Sequence, residues 1–78
     1  MTFLQIHGTY LRRVRVSRKI SQMNLELKAE LAFGTISRIE NFRTNPTKET
    51  LFKIAEVLKL SQHEISNLLG IQHILEQI

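Results

Sequence analysis

Cysteine, tryptophan and aspartate are absent from this 78-residue chain; proline occurs once and glycine three times. Without cysteine there is no disulfide framework and no thiolate metal centre, and the usage fits a reducing compartment. Without aspartate, His7, His63 and His73 have only glutamates as possible co-ligands, and their positions show no metal-ligand spacing. No apolar run reaches the roughly 18–20 residues of a membrane span. The opening MTFLQIHG lacks the basic start of a secretory leader, so a cytoplasmic protein with no membrane partner is expected. There is no glycine-rich phosphate loop, and no Ser/His/acid set that the sequence brings together. The expectation is a non-enzyme with no cofactor and no metal. A chain this short forms one domain at most and buries only about 60–65% of its unfolded surface. Association with a second copy is the expected source of further stability.

Charge is present, and unevenly. Residues 1–43 carry eight Lys/Arg against three Glu, a net +5, while residues 44–78 carry three Lys against four Glu, a net −1. A basic half beside a nearly neutral half suits a surface that meets a polyanion, although small proteins are also basic for solubility alone.

Helical spacing dominates. Leu11 and Val14 stand one turn apart, predicting a first helix over about 6–18. Pro46, in F-R-T-N-P-T, marks a loop, after which Thr47 can cap a helix with Leu51, Ile54, Ala55 and Leu58 at i, i+3, i+4 and i+7. Ser61-Gln-His-Glu64 is a capping box for a further helix carrying Ile65, Leu68 and Leu69, with Gly70 placed to end it. The stretch M-N-L-E-L-K-A-E-L-A-F from Met23 alternates apolar and polar residues as a half-buried strand would. A lone strand has nothing to pair with here. Ser21 offers a cap, Met23/Leu27 and Leu27/Leu31 are i, i+4 pairs, and Leu, Glu, Lys and Ala favour helix. The expectation is therefore helix, turn, helix.

Ser21-Gln22, Leu25, Ile36-Ser37-Arg38-Ile39-Glu40, Asn45-Pro46, Leu51 and Ile54-Ala55 resemble, in identity and spacing, the phage-repressor-like (Cro/CI, Xre-type) helix-turn-helix family, from about residue 8 to 69. The resemblance implies an all-α fold: a compact five-helix lambda-repressor-like DNA-binding domain over residues 1–78. The motif would lie at about 21–42, with a short apolar C-terminal extension at 71–78. Three positions depart from the family pattern. Glu26 stands where a small alanine is usual, so its carboxylate must tilt outward, pair with a cation or protonate. Glu30 replaces the turn glycine and must accept a left-handed conformation at about 1–2 kcal/mol or reshape the turn. Ala32 stands where a Ser or Thr commonly caps the recognition helix, expected to span about 33–41; losing that cap costs about 1 kcal/mol.

By family position, Phe33, Gly34 and Arg38 are base readers, joined by Ala32, Thr35 and Ser37 on the same outward side. Arg38 suits guanine O6/N7, and Ala32 and Phe33 suit thymine methyls. Core packing is the competing role for Phe33. Gln22, Asn41, Arg43, Thr44 and Asn45 fall where the family grips phosphates, and Arg12, Arg13, Arg18 and Lys19 either add attraction or form a solvated helix face. Arg15 and Glu40 are implied to form a partly buried ion pair between the first and third helices. Leu68, Ile71, Ile74, Leu75 and Ile78 are expected to form a homodimer seam; packing back onto the same chain is the other possibility. Two copies so joined would hold recognition helices about 34 Å apart.

The implied function is sequence-specific binding of double-stranded DNA by a bacterial or phage-encoded transcriptional regulator, most simply a dimeric repressor. Two other readings stay open. One is the DNA-binding antitoxin of a toxin–antitoxin pair. The other is a protein-interaction adaptor that has lost DNA readout. Both bring in a protein partner.

Overall fold

Local capping chemistry sets three of the helix starts. Ser21 accepts from the Asn24 amide, Thr47 from the Thr50 amide and Ser61 from the Glu64 amide, the last with the reciprocal bond from the Ser61 amide to the Glu64 carboxylate. The computed structural model describes residues 4–70. It arranges them as five helices: α1 Gly8–Ser17, α2 Gln22–Lys28, α3 Thr35–Glu40, α4 Lys48–Leu58 and α5 Gln62–Leu69. There is no strand among the described residues. Alternation from Met23 thus resolves into a helix and a turn. Leu25 and Ala29, four apart, go inward, while Met23, Leu27 and Phe33 remain exposed.

Leu11, Val14, Leu25, Ile36, Ile39, Leu51, Ile54, Leu58 and Leu68 form one core to which every helix contributes, with Ile6 added from the segment before α1. That segment is strapped across the fold by two backbone bonds, Leu4 N–H to the Pro46 carbonyl (2.7 Å) and His7 N–H to the Leu68 carbonyl (2.9 Å). The first helix begins at Gly8 rather than at Ile6. Its N-terminus abuts the end of α3 so closely that a Cβ on Gly8 would stand 2.5 Å from the Ile39 carbonyl oxygen. Leu68 is only 1% exposed and belongs to this core. It is therefore not free to join the expected dimer seam, whose other members, Ile71, Ile74, Leu75 and Ile78, lie outside the described residues.

Four helix exits share one device. Lys19, Glu30, Phe42 and Lys59 have φ of 55–60°. In each case the following amide reaches back to a carbonyl five residues earlier: Ile20 to Arg15, Leu31 to Glu26, Arg43 to Arg38 and Leu60 to Ala55, at 2.8–3.4 Å. Glu30 thus accepts the left-handed conformation and the turn keeps its shape. Replacing Glu30 by glycine is expected to stabilise the fold by about 1 kcal/mol, since relief of left-handed strain outweighs glycine's extra unfolded-state freedom. Urea denaturation checks this, and an unchanged or lower midpoint would refute it.

Arg18, exposed at the C-cap of α1, is engaged by the fold instead of lying free. Its Nε donates to the Leu58 carbonyl (2.9 Å) and its Nη2 to both Glu64 oxygens (2.7 and 2.9 Å), pinning the α4–α5 corner. The Ser61 amide and Arg18 hold the Glu64 carboxyl below its usual value near 4.5. A depressed folded-state pKa gives stabilisation that is complete above the ordinary carboxylate pKa and is lost as pH falls through the lowered value. In a pH series of urea midpoints, the advantage of the wild type over Glu64→Gln is expected to shrink over that acid window and to be flat above it.

Candidate nucleic-acid interface

The crossing of α2 and α3 is held at both ends. At the C-terminal end, Glu40 accepts from Arg15 Nε (2.7 Å) and Nη2 (3.1 Å) and from Gln22 Nε2 (2.9 Å), while Arg15 Nη1 donates to the Ile20 carbonyl (2.9 Å). Arg15 and Glu40 are 8% and 6% exposed. A buried ion pair is tolerable only when its remaining donors and acceptors are met. Here one cluster ties α1, α2 and α3 together.

At the N-terminal end the sequence reading needs correcting. The third helix starts at Thr35, not at 33, because Gly34 takes φ +86 and serves as the N-cap position with no side-chain bond of its own. Ala32 is therefore not the cap site; its carbonyl accepts from the Thr35 amide in the preceding turn (3.1 Å). The acceptor for the helix start comes from another helix. Glu26, 4% exposed, takes the Ile36 N–H on Oε2 at 2.9 Å. It neither tilts out to solvent nor forms a salt bridge with a cation. A carboxylate at the first turn satisfies an amide that would otherwise lack a partner and suits the positive end of the helix. The departures at 26 and at the cap offset each other. The only sequence signal was their coincidence: a carboxylate where the helices cross and a recognition helix with no cap.

Around this frame the polar candidates separate into two groups. One lines an open depression of about 760 Å³: Thr9, Arg12, Arg15, Ser21, Gln22, Ser37, Glu40, Asn41 and Phe42. Of the expected phosphate set it contains Gln22, one of whose amide N–H groups is engaged by Glu40, and Asn41, whose Nδ2 folds back to the Ser37 carbonyl (2.8 Å) and hydroxyl (3.3 Å). Ser37, expected with the base readers, sits here instead. Thr9 and Arg12 join the depression although Thr9 was missed. The signal was available, since Thr9 stands one turn before Arg12 and Arg12 one turn before Arg15. Arg43, Thr44 and Asn45 follow in the α3–α4 loop, with Arg43 and Asn45 exposed and Thr44 half-buried.

The second group is the outward edge at the start of α3. Ala32, Phe33 and Arg38 are exposed, and Gly34 and Thr35 are half-buried. Phe33 is 79% exposed, so it is not a core residue. Arg38 Nη2 donates to Thr35 Oγ1 at 3.4 Å. Arg13 and Lys19 are exposed cations elsewhere on the surface.

Among the described residues, no group of three His, Cys, Asp or Glu side chains could hold a metal, and no helix is long and apolar enough to cross a membrane. A protein-family model described as helix-turn-helix matches residues 11–65, more than two-thirds of the chain. No curated protein and no solved structure matches it.

Proposed function

Since the chain belongs to the helix-turn-helix family of the phage-repressor (Cro/CI, Xre) type, a family of DNA-binding regulatory domains and not of enzymes, we propose that it is a sequence-specific transcriptional repressor that occupies an operator as a pair of identical copies. One observation carries the reading. The third helix is pinned by Glu26 at one end and by Arg15, Gln22 and Glu40 at the other, while Phe33 and Arg38 are left exposed along its outward edge. Rigid placement of a short helix with exposed side chains is what major-groove readout needs.

In this mechanism the depression holding Arg12, Gln22 and Asn41, together with Arg43, Thr44 and Asn45, grips phosphates and fixes register. Arg38 and its neighbours then read base edges. Two copies meeting through the segment that carries Ile71, Ile74, Leu75 and Ile78 would set two recognition helices on one face of the duplex. Occupation of the operator then excludes polymerase in the cytoplasm of a bacterial host.

Footprinting and titration of duplexes from the protein's own upstream region, at several salt concentrations, test this. Two protected half-sites about one helical turn apart are expected, with steeply salt-dependent affinity. Arg38→Ala should lose about tenfold at one base position and relax preference there. Arg43→Ala should weaken all sequences alike and lower the salt slope by about one. A flat, salt-insensitive titration would refute DNA reading and turn attention to the adaptor function.

A further inference from the structure

Glycine is the residue that a left-handed helix exit favours. The exits of α1 and α4 carry lysine instead, Lys19 at φ 57° and Lys59 at φ 55°. Strain kept where glycine would remove it points to a task for the side chain. Both exits open onto one place. A depression of about 350 Å³ is lined by Lys19, Lys28 and Lys59, with Asn24 beside them and the half-buried Ile20 and Val57 as apolar surface. No carboxylate lines it.

These ammonium groups are not neutralised within the fold. Among the described residues the ion pairs are Arg15–Glu40, Arg18–Glu64 and Lys53–Glu49, which leaves Lys19, Lys28 and Lys59 without a carboxylate in reach. Like charges gathered without a counter-charge attract an anion. The depression stands apart from the candidate DNA face. Asn24 is about 200° round α2 from Gln22, so it lies behind the helix whose front borders the larger depression. A neighbouring depression of about 590 Å³ continues it, sharing Lys28, Val57 and Lys59 and adding Lys53, Glu30 and Glu56. Those two carboxylates select the occupant. A nucleic-acid backbone, negative at every step, would run onto them and would leave Ile20 and Val57 without an apolar partner. A peptide can set carboxylates at the lysines and aliphatic side chains on Val57, and carry no charge past Glu30 and Glu56.

We infer that these joined grooves dock an acidic segment of a partner protein, one in which Glu or Asp is interleaved with Val, Ile or Leu. Lys19, Lys28 and Lys59 hold its carboxylates, and Val57 and Ile20 meet its aliphatic side chains. The site does not rest on the DNA-binding function, since the two use different faces of α2. Strain at the exits of α1 and α4 is the cost of presenting both ammonium groups there.

The test screens the full chain against random short peptides displayed on phage, and one recovered peptide is then synthesised. Recovered sequences are expected to interleave acidic and aliphatic residues. The synthetic peptide should move the amide NMR signals of Lys28, Val57 and Lys59 and leave those of Gln22 and Asn41 in place. Lys19→Gly and Lys59→Gly should each show a higher urea midpoint than the wild type. Each should also bind the peptide about two- to fivefold more weakly, the worth of one exposed ion pair. Affinity lost by a more stable protein cannot come from unfolding. Arg13→Ala, which removes a charge elsewhere on the surface, should bind the peptide as the wild type does. A library with no acidic enrichment overturns the inference, as do signals that move at Gln22 and Asn41 instead, or unchanged affinity in both glycine variants. If Lys59→Gly weakens duplex DNA and peptide alike, the grooves are a DNA contact and the inference falls.

Discussion

Replacing Glu40 by alanine is expected to destabilise the protein by about 3–5 kcal/mol, enough to unfold much of it at room temperature. The carboxylate is the common acceptor for Arg15 on α1 and Gln22 on α2, and Arg15 is 8% exposed. Removing Glu40 leaves a guanidinium buried with only the Ile20 carbonyl for company. The uncompensated charge, more than the lost attraction, sets the cost. That account makes a sharper claim about the double replacement Arg15→Met with Glu40→Leu. Two apolar chains of similar volume remove both charges together, so the double variant should be more stable than Glu40→Ala and approach the wild type. Urea denaturation followed by circular dichroism measures all three. A Glu40→Ala variant within about 1 kcal/mol of the wild type would mean that water reaches Arg15 freely, and the argument from burial would fail.

Glu26→Ala is the second large effect, expected at about 2–3 kcal/mol because a charged acceptor is lost and a buried amide is orphaned. Glu26→Gln separates acceptor from charge. Its amide oxygen can still accept from Ile36, so it should cost markedly less than alanine does. Hydrogen exchange gives a local readout alongside global stability. The Ile36 amide should lose protection in Glu26→Ala and largely keep it in Glu26→Gln, relative to the Leu25 amide bonded within α2. If Ile36 exchanges equally slowly in all three proteins, the helix start is capped by something other than Glu26.

What could be read from the chain alone follows the range of the interactions. Ser21, Thr47 and Ser61 cap within three residues of themselves, so their helices were legible. The inward positions of α4 follow from spacing along one helix. Glu26 to Ile36 spans ten residues, and Arg18 to Glu64 spans forty-six. Neither can be found from periodicity, which is why Glu26 read as an anomaly and Arg18 as a loose cation. The start of α3 was misplaced for a related reason. Gly34 can continue or break a helix, and the guanidinium that fills its missing side-chain space belongs to Arg38, a turn away. Phe33 was ambiguous because an aromatic ring beside Ile36 suits a core as well as a surface; only the packed fold puts it outside.

The left-handed exits at Lys19, Glu30 and Lys59 reach into how warm a cell this protein can serve. None of the three lines the depression that holds Gln22 and Asn41; they border two other grooves, which share Lys28, Val57 and Lys59. Each exit withholds about 1 kcal/mol, and in so small a domain that amount corresponds to a melting temperature lower by about 4–8 °C. The strain is therefore stored at positions apart from the depression and from the Phe33–Arg38 edge that the proposed DNA binding would use. A lineage moving to a hotter habitat could exchange those three side chains for glycine, one by one, and leave every residue of the proposed DNA-contacting face in place.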